Sequence, residues 1–438
     1  MKQGQPFNGG SMPSGIAIIG TGYVGLTTGA CFAHIGHDVV CADIDERKIE
    51  MLRQGRIPIH EDGLESIVRE QTASGRLKFV VGAAEAVKGR EFIYLCVPTP
   101  QGPDGSADMS YIEAAAREIS PHLDRGVVVV NKSTVPVGST RLVEQALGRS
   151  DVFVVSNPEF LREGSAVSDF LNPDRVVIGA DDQSAATRVA SLFLGVRAPI
   201  MITDAASAET IKYASNAFLA TKISFTNAVA AVCEAVGADV SDVLLGIGYD
   251  RRIGHDFLKP GPGWGGSCFP KDTRAMIRIA EDGGYDFSLL RGVIAVNDEQ
   301  FERITEKVVQ AAGGSIDGVR VAALGLTFKA NTDDLRESPS LEILGRLAQR
   351  GAKVRAYDPA VAAGSTFVEG AEVVADPYSA CEDAEVLVVL TEWDEFKWLD
   401  LEKLGSSMSA RNVVDARNIL DKGALLRRGF TYTGVGRS

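Results

Sequence analysis

The short apolar run IAIIG (16–20) passes directly into GTGYVG and then into the helical LTTGACFAHIG, and no other feature restricts the fold of this chain as strongly. Gly20, Gly22 and Gly25 stand where a strand turns into a helix. Glycines there permit a tight turn, close backbone approach to a diphosphate and tight packing of helix on strand. A second strand pattern, DVVCAD (38–43), ends at Asp43, 18 residues beyond Gly25. An acidic side chain at that point binds ribose hydroxyls and repels a 2′-phosphate. The glycine triplet alone is a weak signal. Strand, glycines, helix and terminal acid together predict a dinucleotide site that takes NAD rather than NADP.

Strand and helix patterns keep alternating after this unit. FIYLCV (92–97), VVVVN (127–131), FVVSN (153–157), VVIGA (176–180) and IMIT (200–203) each read as a buried parallel strand with helical periodicity between them. From about Ala205 to Ala312 strand signals stop, and the Ala-rich run beginning AETIKYASNAF is apolar at helical spacing. Alternation resumes at VRVAALG (319–325), KVRAYD (353–358), VLVVLT (386–391) and NVVDAR (412–417). The predicted fold class is therefore α/β, with two Rossmann-like doubly wound domains joined by a central helical region. Residues 1–14 are expected to form a disordered leader and 15–204 a dinucleotide-binding domain. Residues 205–312 are assigned to a helical and dimerisation region, and 313–438 to a second, smaller Rossmann-like domain.

At 438 residues the chain has room for several cores, and 45% hydrophobic with 24% charged residues is ordinary for a globular enzyme. A net charge of −13 without a basic run argues against a nucleic-acid partner. Phosphate binding must then come from local cations and helix N-termini. No apolar run is expected to approach bilayer-spanning length, so no membrane partner is predicted. The six cysteines lack paired spacing and the five histidines lack ligand spacing, which suits a reducing cytoplasm and offers no metal site.

One of those cysteines has an unusual setting. In GPGWGGSCFPKD, Cys268 follows a Gly-rich turn and precedes the helical KDTRAMIRIAE. A helix N-terminus stabilises an anion and favours a thiolate. Asp272 lies one turn further along the same face, beside Lys271. Other polar residues cluster at strand ends: Thr134 in STVPVGS, Glu159, Arg162 and Glu163 in SNPEFLREG, and Lys329 and Arg336 in GLTFKANTDDLRES. Open α/β sheets bind ligands at such ends. Lys212 and Asn216, four apart, share one face of the central helix. Each has an ordinary role open to it: a solvated helix face for Lys212 and Asn216, dipole complementation for Glu159 and Glu163, capping for Thr134, surface charge for Lys329 and Arg336.

GTGYVG, STVPVG, NPEFLREG, the K-x3-N helix, GGSCFPKD and TFK-x6-R occur in one order, and together they resemble the UDP-glucose/GDP-mannose dehydrogenase family over nearly the whole chain from about Gly15. The resemblance implies oxidation of a nucleotide sugar's C6 alcohol to a carboxylate by two NAD and one water. A second hydride leaves only after the aldehyde becomes tetrahedral, which is the reason for a thiolate nucleophile. In family terms Cys268 is that nucleophile, and Lys212 and Asn216 polarise the C6 oxygen. Either Lys212 or a water held by Asp272 and Thr134 takes the first proton, and Glu159 activates the hydrolytic water. Implied cofactor contacts are Gly20, Gly22, Tyr23, Val24, Gly25, Asp43, Lys48, Thr99, Thr134, Glu163, Lys271 and Arg336. Implied sugar-nucleotide contacts run through Glu159, Phe160, Leu161, Arg162 and Glu163, then Lys212, Asn216 and Arg252. They continue through Phe257, Leu258, Lys259, Pro260, Gly261, Gly265 and Lys329. A homodimer through the central helices is also expected, with Arg252 at a position that often reaches a neighbouring subunit's substrate.

The VPVG after Thr134 and the FP after Cys268 look more like the UDP-glucose branch of the family. GDP-mannose or a UDP-N-acetylhexosamine would need only a changed pocket. A two-electron hydroxyacid-type dehydrogenase would have no use for Cys268, and a silent nucleotide-sugar sensor is expected to have lost the nucleophile or the base.

Overall fold

In the computed structural model, residues 13–100, 102 and 107–437 are described, so most of the expected leader lies outside the described residues. The chain divides into two compact units between Ala214 and Ser215.

The first unit is built on eight strands: β1 (Gly15–Ile19), β2 (Asp38–Asp43), β3 (Leu77–Val81), β4 (Phe92–Leu95), β5 (Val128–Asn131), β6 (Phe153–Ser156), β7 (Val176–Gly179) and β8 (Ile200–Thr203). Their order is β3-β2-β1-β4-β5-β6-β7-β8. The first six reproduce the 3-2-1-4-5-6 order of a dinucleotide-binding sheet. Strand alternation sorts side chains between two faces: Ile16 and Ile18 enter one core cluster, Ala17 and Ile19 the other. Helix α1 (Tyr23–His34) covers β1 and buries Leu26, Ala30 and Phe32.

Two expectations are corrected here. Not every strand is parallel, because β7 meets β6 antiparallel through Ser156 and Gly179. Nor is every strand buried: β8 is an edge strand, and its Ile200 and Met201 side chains are exposed. An edge strand lacks a neighbour on one side, so apolar β-branched residues there need not be enclosed.

The second unit contains a six-stranded sheet, β9 (Arg320–Leu324), β10 (Lys353–Tyr357), β11 (Ala371–Val373), β12 (Val386–Val389), β13 (Asn412–Asp415) and β14 (Thr431–Gly434). The order β11-β10-β9-β12-β13-β14 repeats the Rossmann arrangement, with every pairing parallel. It repeats a local device as well. Asp43 closes β2 by accepting from the N–H and hydroxyl of Thr21, and Asp358 follows β10 and accepts from the N–H of Leu326 and the N–H and hydroxyl of Thr327.

Among the described residues no strand occurs between β8 and β9. That stretch forms α2 (Ala205–Val236), α3 (Val240–Gly248), α4 (Phe269–Asp282) and α5 (Ser288–Ala311). Helix α2 begins in the first unit and continues into the second. It also corrects the expectation about apolar runs, since by length and composition it is sufficient to cross a membrane. Its Ala217, Ala220, Ser224, Asn227, Ala230 and Cys233 are nevertheless buried within the protein, and Lys212 and Glu209 lie in it too.

Candidate active site

The dinucleotide loop is shaped for a phosphate. Gly22 precedes α1 at φ −70°, ψ −172° and offers no side-chain cap, so among the described residues the first N–H groups of the helix have no capping side chain. A methyl group placed on Gly22 meets nothing within 4 Å, whereas one on Gly25 would lie 2.0 Å from the Gly20 carbonyl oxygen. Gly25 therefore serves helix–strand packing, and Gly22 leaves room for a ligand. Lys48 Nζ stands 3.2 Å from Asp43. Burial works against the Asp43 charge, but Thr21, the Asp45 N–H and Lys48 outweigh it and hold the carboxyl below its usual range. An uncapped helix start, an open glycine and an ionised acid at the second strand fit NAD. When bound, NAD supplies the hydride acceptor.

Tyr23, the first residue of α1, hydrogen-bonds to Glu61. Glu61 and the Tyr23 hydroxyl both accept from the N–H of Gly164, which fixes the loop carrying Arg162 and Glu163 to the dinucleotide turn. Arg162 itself points to Asp169 in a two-toothed ion pair. Thr99 donates to the backbone carbonyl of Thr134 at 2.9 Å. That loop is anchored by Glu209 of α2, which accepts from the N–H groups of Gly138 and Thr140 and from the Thr140 hydroxyl.

Glu159 and Lys212 form a buried ion pair with Nζ 2.7 Å from Oε1, each side chain no more than 5% exposed. The other carboxylate oxygen accepts from the Leu161 N–H at 2.7 Å. Burial raises the cost of charge on Glu159. Lys212, the Leu161 N–H and Lys132 overcome it, and the carboxyl sits below its usual range. This geometry excludes a solvated helix face for Lys212, and Glu159 lies in no helix. Lys212 also stands 5.7 Å from the centre of the Phe160 ring, whose face is covered by Arg175 at 3.6 Å.

In the second unit, Cys268 is the N-cap residue of α4, as the sequence predicts, and the Asp272 N–H donates to its carbonyl at 2.8 Å. It is half-buried, whereas the other five cysteines are buried. For Cys31, Cys41, Cys96 and Cys381 burial pushes the thiol up. Asp272 is completely buried and holds two partners: Asn216 Nδ2 at 2.6 Å and Lys271 Nζ at 2.8 Å. Buried Asn216 thus reaches the turn of helix that carries the cysteine.

The loop before Cys268 is built from inside. Gly261 donates to Asn227 and accepts from Gln300, while Trp264 exchanges two hydrogen bonds with Asn297 and donates its indole N–H to Ser224. Gly265 is in backbone contact with the Arg336 loop, for a methyl group on it would lie 1.9 Å from the Glu337 carbonyl oxygen. Phe257 adopts φ 62°, in the left-handed region. Lys259 is exposed, Arg252 is exposed and paired with Asp250, and Arg336 is paired with Asp334. Lys329 lies 5.4 Å from the Phe328 ring centre.

Sequence reasoning passed over several residues that build these sites. Thr21, Glu61, Glu209, Asn227 and Lys132 act through contacts that span 22 to 106 residues with no local pattern. Thr21 alone had a signal, lying inside the glycine motif.

Three profiles of the UDP-glucose/GDP-mannose dehydrogenase family match in succession: the NAD binding domain at residues 14–196, the central domain at 206–299 and the UDP binding domain at 322–422. The chain belongs to this family. A UDP-glucose 6-dehydrogenase from Rhizobium meliloti is 48% identical over 96% of this chain and 99% of its own length. A UDP-glucose dehydrogenase structure from Pyrobaculum islandicum has a TM-score of 0.91 at 39% identity, covering 99% of this chain and all of that one. A UDP-D-ManNAc dehydrogenase structure from Pyrococcus horikoshii has a TM-score of 0.86 at 30% identity, with 96% and 99% covered. The α/β class with two Rossmann-like domains and NAD as cofactor stand on these matches and on the sheet orders together.

Proposed function

We propose that this family member is an NAD-dependent UDP-glucose 6-dehydrogenase, which oxidises C6 of UDP-glucose to the carboxylate of UDP-glucuronate. The observation that carries the reading is Cys268 at the start of α4 with Asp272 one turn on, itself bonded to Asn216. The N-terminal dipole favours a thiolate, and Asn216 and Lys212 are assigned to the developing charge on the C6 oxygen. Lys212, or a water held by Asp272 and Thr134, takes the alcohol proton in the first step. The Cys268 sulfur then bonds to the aldehyde carbon, and the oxygen gains a proton. The resulting thiohemiacetal has the tetrahedral C–H that an aldehyde lacks. Loss of that C–H as hydride to NAD, together with the hydroxyl proton, leaves a thioester. Glu159 takes a proton from water as the water oxygen bonds to the acyl carbon, and the C–S bond breaks to restore the Cys268 thiolate.

Sugar-nucleotide contacts are assigned to residues 159–163, Arg252, residues 257–261, Gly265 and Lys329, and cofactor contacts to Val24, Thr99, Glu163, Lys271 and Arg336 besides the glycine loop. We take 15–204, 205–312 and 313–438 as the functional domains. A cytoplasmic location is supported by the scattered, unbridged thiols. Homodimerisation is assigned to α2, where Phe218, Phe225 and Val232 recur at seven-residue intervals and are exposed.

The test is NADH formed per sugar from limiting UDP-glucose with excess NAD. Two NADH per sugar, lost in Cys268→Ser, is the expected result. One NADH per sugar in the unaltered enzyme would return the chain to two-electron chemistry. Activity on GDP-mannose or UDP-ManNAc in place of UDP-glucose would move it within the family.

A further inference from the structure

The proton-transfer scheme has no use for one buried cation. Lys132 follows β5 and is only 5% exposed. Among the described residues, Nζ has one hydrogen-bond partner, Asn157 Oδ1 at 3.1 Å, and no carboxylate lies within ion-pairing distance. Asn157 is itself held, donating Nδ2–H to the Val177 carbonyl and its N–H to the Asn131 carbonyl. A neutral amide is a poor sole companion for a buried ammonium. The compensating charge is Glu159, two residues after Asn157, which is already in contact with Lys212. Two lysines therefore share one buried carboxylate. The remaining titratable group against Lys132 is Cys96, whose thiol burial pushes up to about 12, so it stays neutral and offers no counter-charge.

We propose that Lys132 is a positioning residue for the reaction: its buried ammonium keeps the Glu159 carboxylate ionised while Lys212 is engaged elsewhere in the cycle. The inference rests on the reading of Glu159 as the base for hydrolysis. A lone Lys212 would have to choose between holding Glu159 and serving the substrate oxygen. With Lys132 present, Glu159 retains a positive neighbour while Lys212 is neutral, the form in which it can take the alcohol proton. Burial brings Lys132 down to about 8 while Glu159 pulls the other way, which favours the charged form at neutral pH.

Two spectroscopic titrations and one rate profile test this. The Glu159 carboxyl band, identified by its loss in Glu159→Gln, is followed by infrared difference spectroscopy against pH. Its midpoint should rise by about one pH unit in Lys132→Met and stay at the original value in Lys132→Arg. The acid limb of kcat should move with it. The coupling is reciprocal, so the Lys132 side-chain nitrogen, followed by NMR, should titrate at lower pH in Glu159→Gln. That measurement decides the matter if Lys132→Met does not fold. An unmoved Glu159 midpoint in folded Lys132→Met, or an unmoved Lys132 titration in Glu159→Gln, overturns the proposal. A midpoint that moves in an enzyme making only one NADH per sugar sustains the coupling and removes only the hydrolytic assignment of Glu159.

Discussion

Asn216 and Asp272, 56 residues apart in sequence, meet inside the second unit with amide nitrogen and carboxylate oxygen 2.6 Å apart. The contact orients both groups. One N–H of the amide is committed to the carboxylate, which leaves the second as the donor assigned to the C6 oxygen. The other Asp272 oxygen holds Lys271, so the fully buried charge is balanced. Asp272→Asn removes the ion pair and leaves Asn216 facing a second amide. We expect kcat to fall by about 10²-fold with a smaller change in KM for UDP-glucose, read by steady-state kinetics. A change confined to KM would remove Asp272 from the reaction.

The Glu159–Lys212 pair predicts a stability effect with a definite sign in pH. The Glu159 carboxyl lies below its usual range, so its contribution is complete above the pKa of an unfolded glutamate and disappears as pH falls through the lowered folded value. Glu159→Gln leaves two buried ammonium groups without their carboxylate. Losing one partner of a buried pair costs about 3 kcal/mol, so the thermal midpoint should drop clearly at pH 7. The gap to the unaltered protein should close on acidification. A gap independent of pH would mean that packing, not charge, is lost.

How much of this was legible beforehand differs by residue. Apolar runs marked β1, β2 and β4 to β7 because strands buried between helices are continuously apolar, and β8 was read by the same apolar pattern although it lies exposed at the sheet edge. β3 went unread because LKFVV alternates with an exposed lysine, β11 because it has three residues, and β14 because TYTG carries little apolar signal. The Cys268 cap was readable from Gly-rich turn followed by helix. Its support was not: Asn227, Ser224, Asn297 and Gln300 reach the loop from α2 and α5, and only tertiary packing brings them there. Lys132 was missed for a related reason. A lysine after a strand ordinarily reads as surface charge, and nothing local says that this one is buried.

Two glycines of the dinucleotide turn should separate folding from binding. A Gly22→Ala methyl enters open space at a backbone conformation alanine accepts, so the thermal midpoint without ligand should be unchanged. The same methyl occupies the phosphate approach, and NAD affinity should fall by about tenfold or more. Gly25→Ala collides with the Gly20 carbonyl and the Cys96 side chain, so it should lose stability before binding is measured. Calorimetric unfolding and NAD titration of the two variants give this pattern or refute it.

Asp43 predicts cofactor choice. Its carboxylate is fixed by Thr21 and Lys48 at the end of β2, where a 2′-phosphate would meet a negative charge. In Asp43→Asn the repulsion is gone while the hydrogen bond from Thr21 can persist. The preference for NAD over NADP in kcat/KM should shrink by about tenfold, chiefly through weaker NAD use and a gain with NADP. Equal losses with both cofactors would show that Asp43 only supports the turn.

Helix α2 presents two unlike faces in the second unit. Ala217, Ala220, Ser224, Asn227 and Cys233 are buried, whereas Phe218 is 65%, Phe225 55%, Val232 60% and Val236 71% exposed. Residues seven apart return to the same side of a helix, so the exposed set makes a stripe suited to a matching stripe. Leu245 of α3 and Tyr249, the residue that caps its C-terminus, are exposed as well. A large exposed apolar stripe marks an interaction surface more often than bare solvent contact. A second copy of the chain is the proposed occupant, because a self-complementary stripe satisfies both partners at once. Light scattering across a concentration series should give a dimer for the unaltered protein. Phe225→Glu, placed mid-stripe, puts an unpaired charge into that contact and should yield monomer at concentrations where the unaltered chain is dimeric. Its isolated fold should persist, since Phe225 contributes little to the core of its own chain. A monomeric unaltered protein would dismiss the interface, and an intact Phe225→Glu dimer would move it to another face.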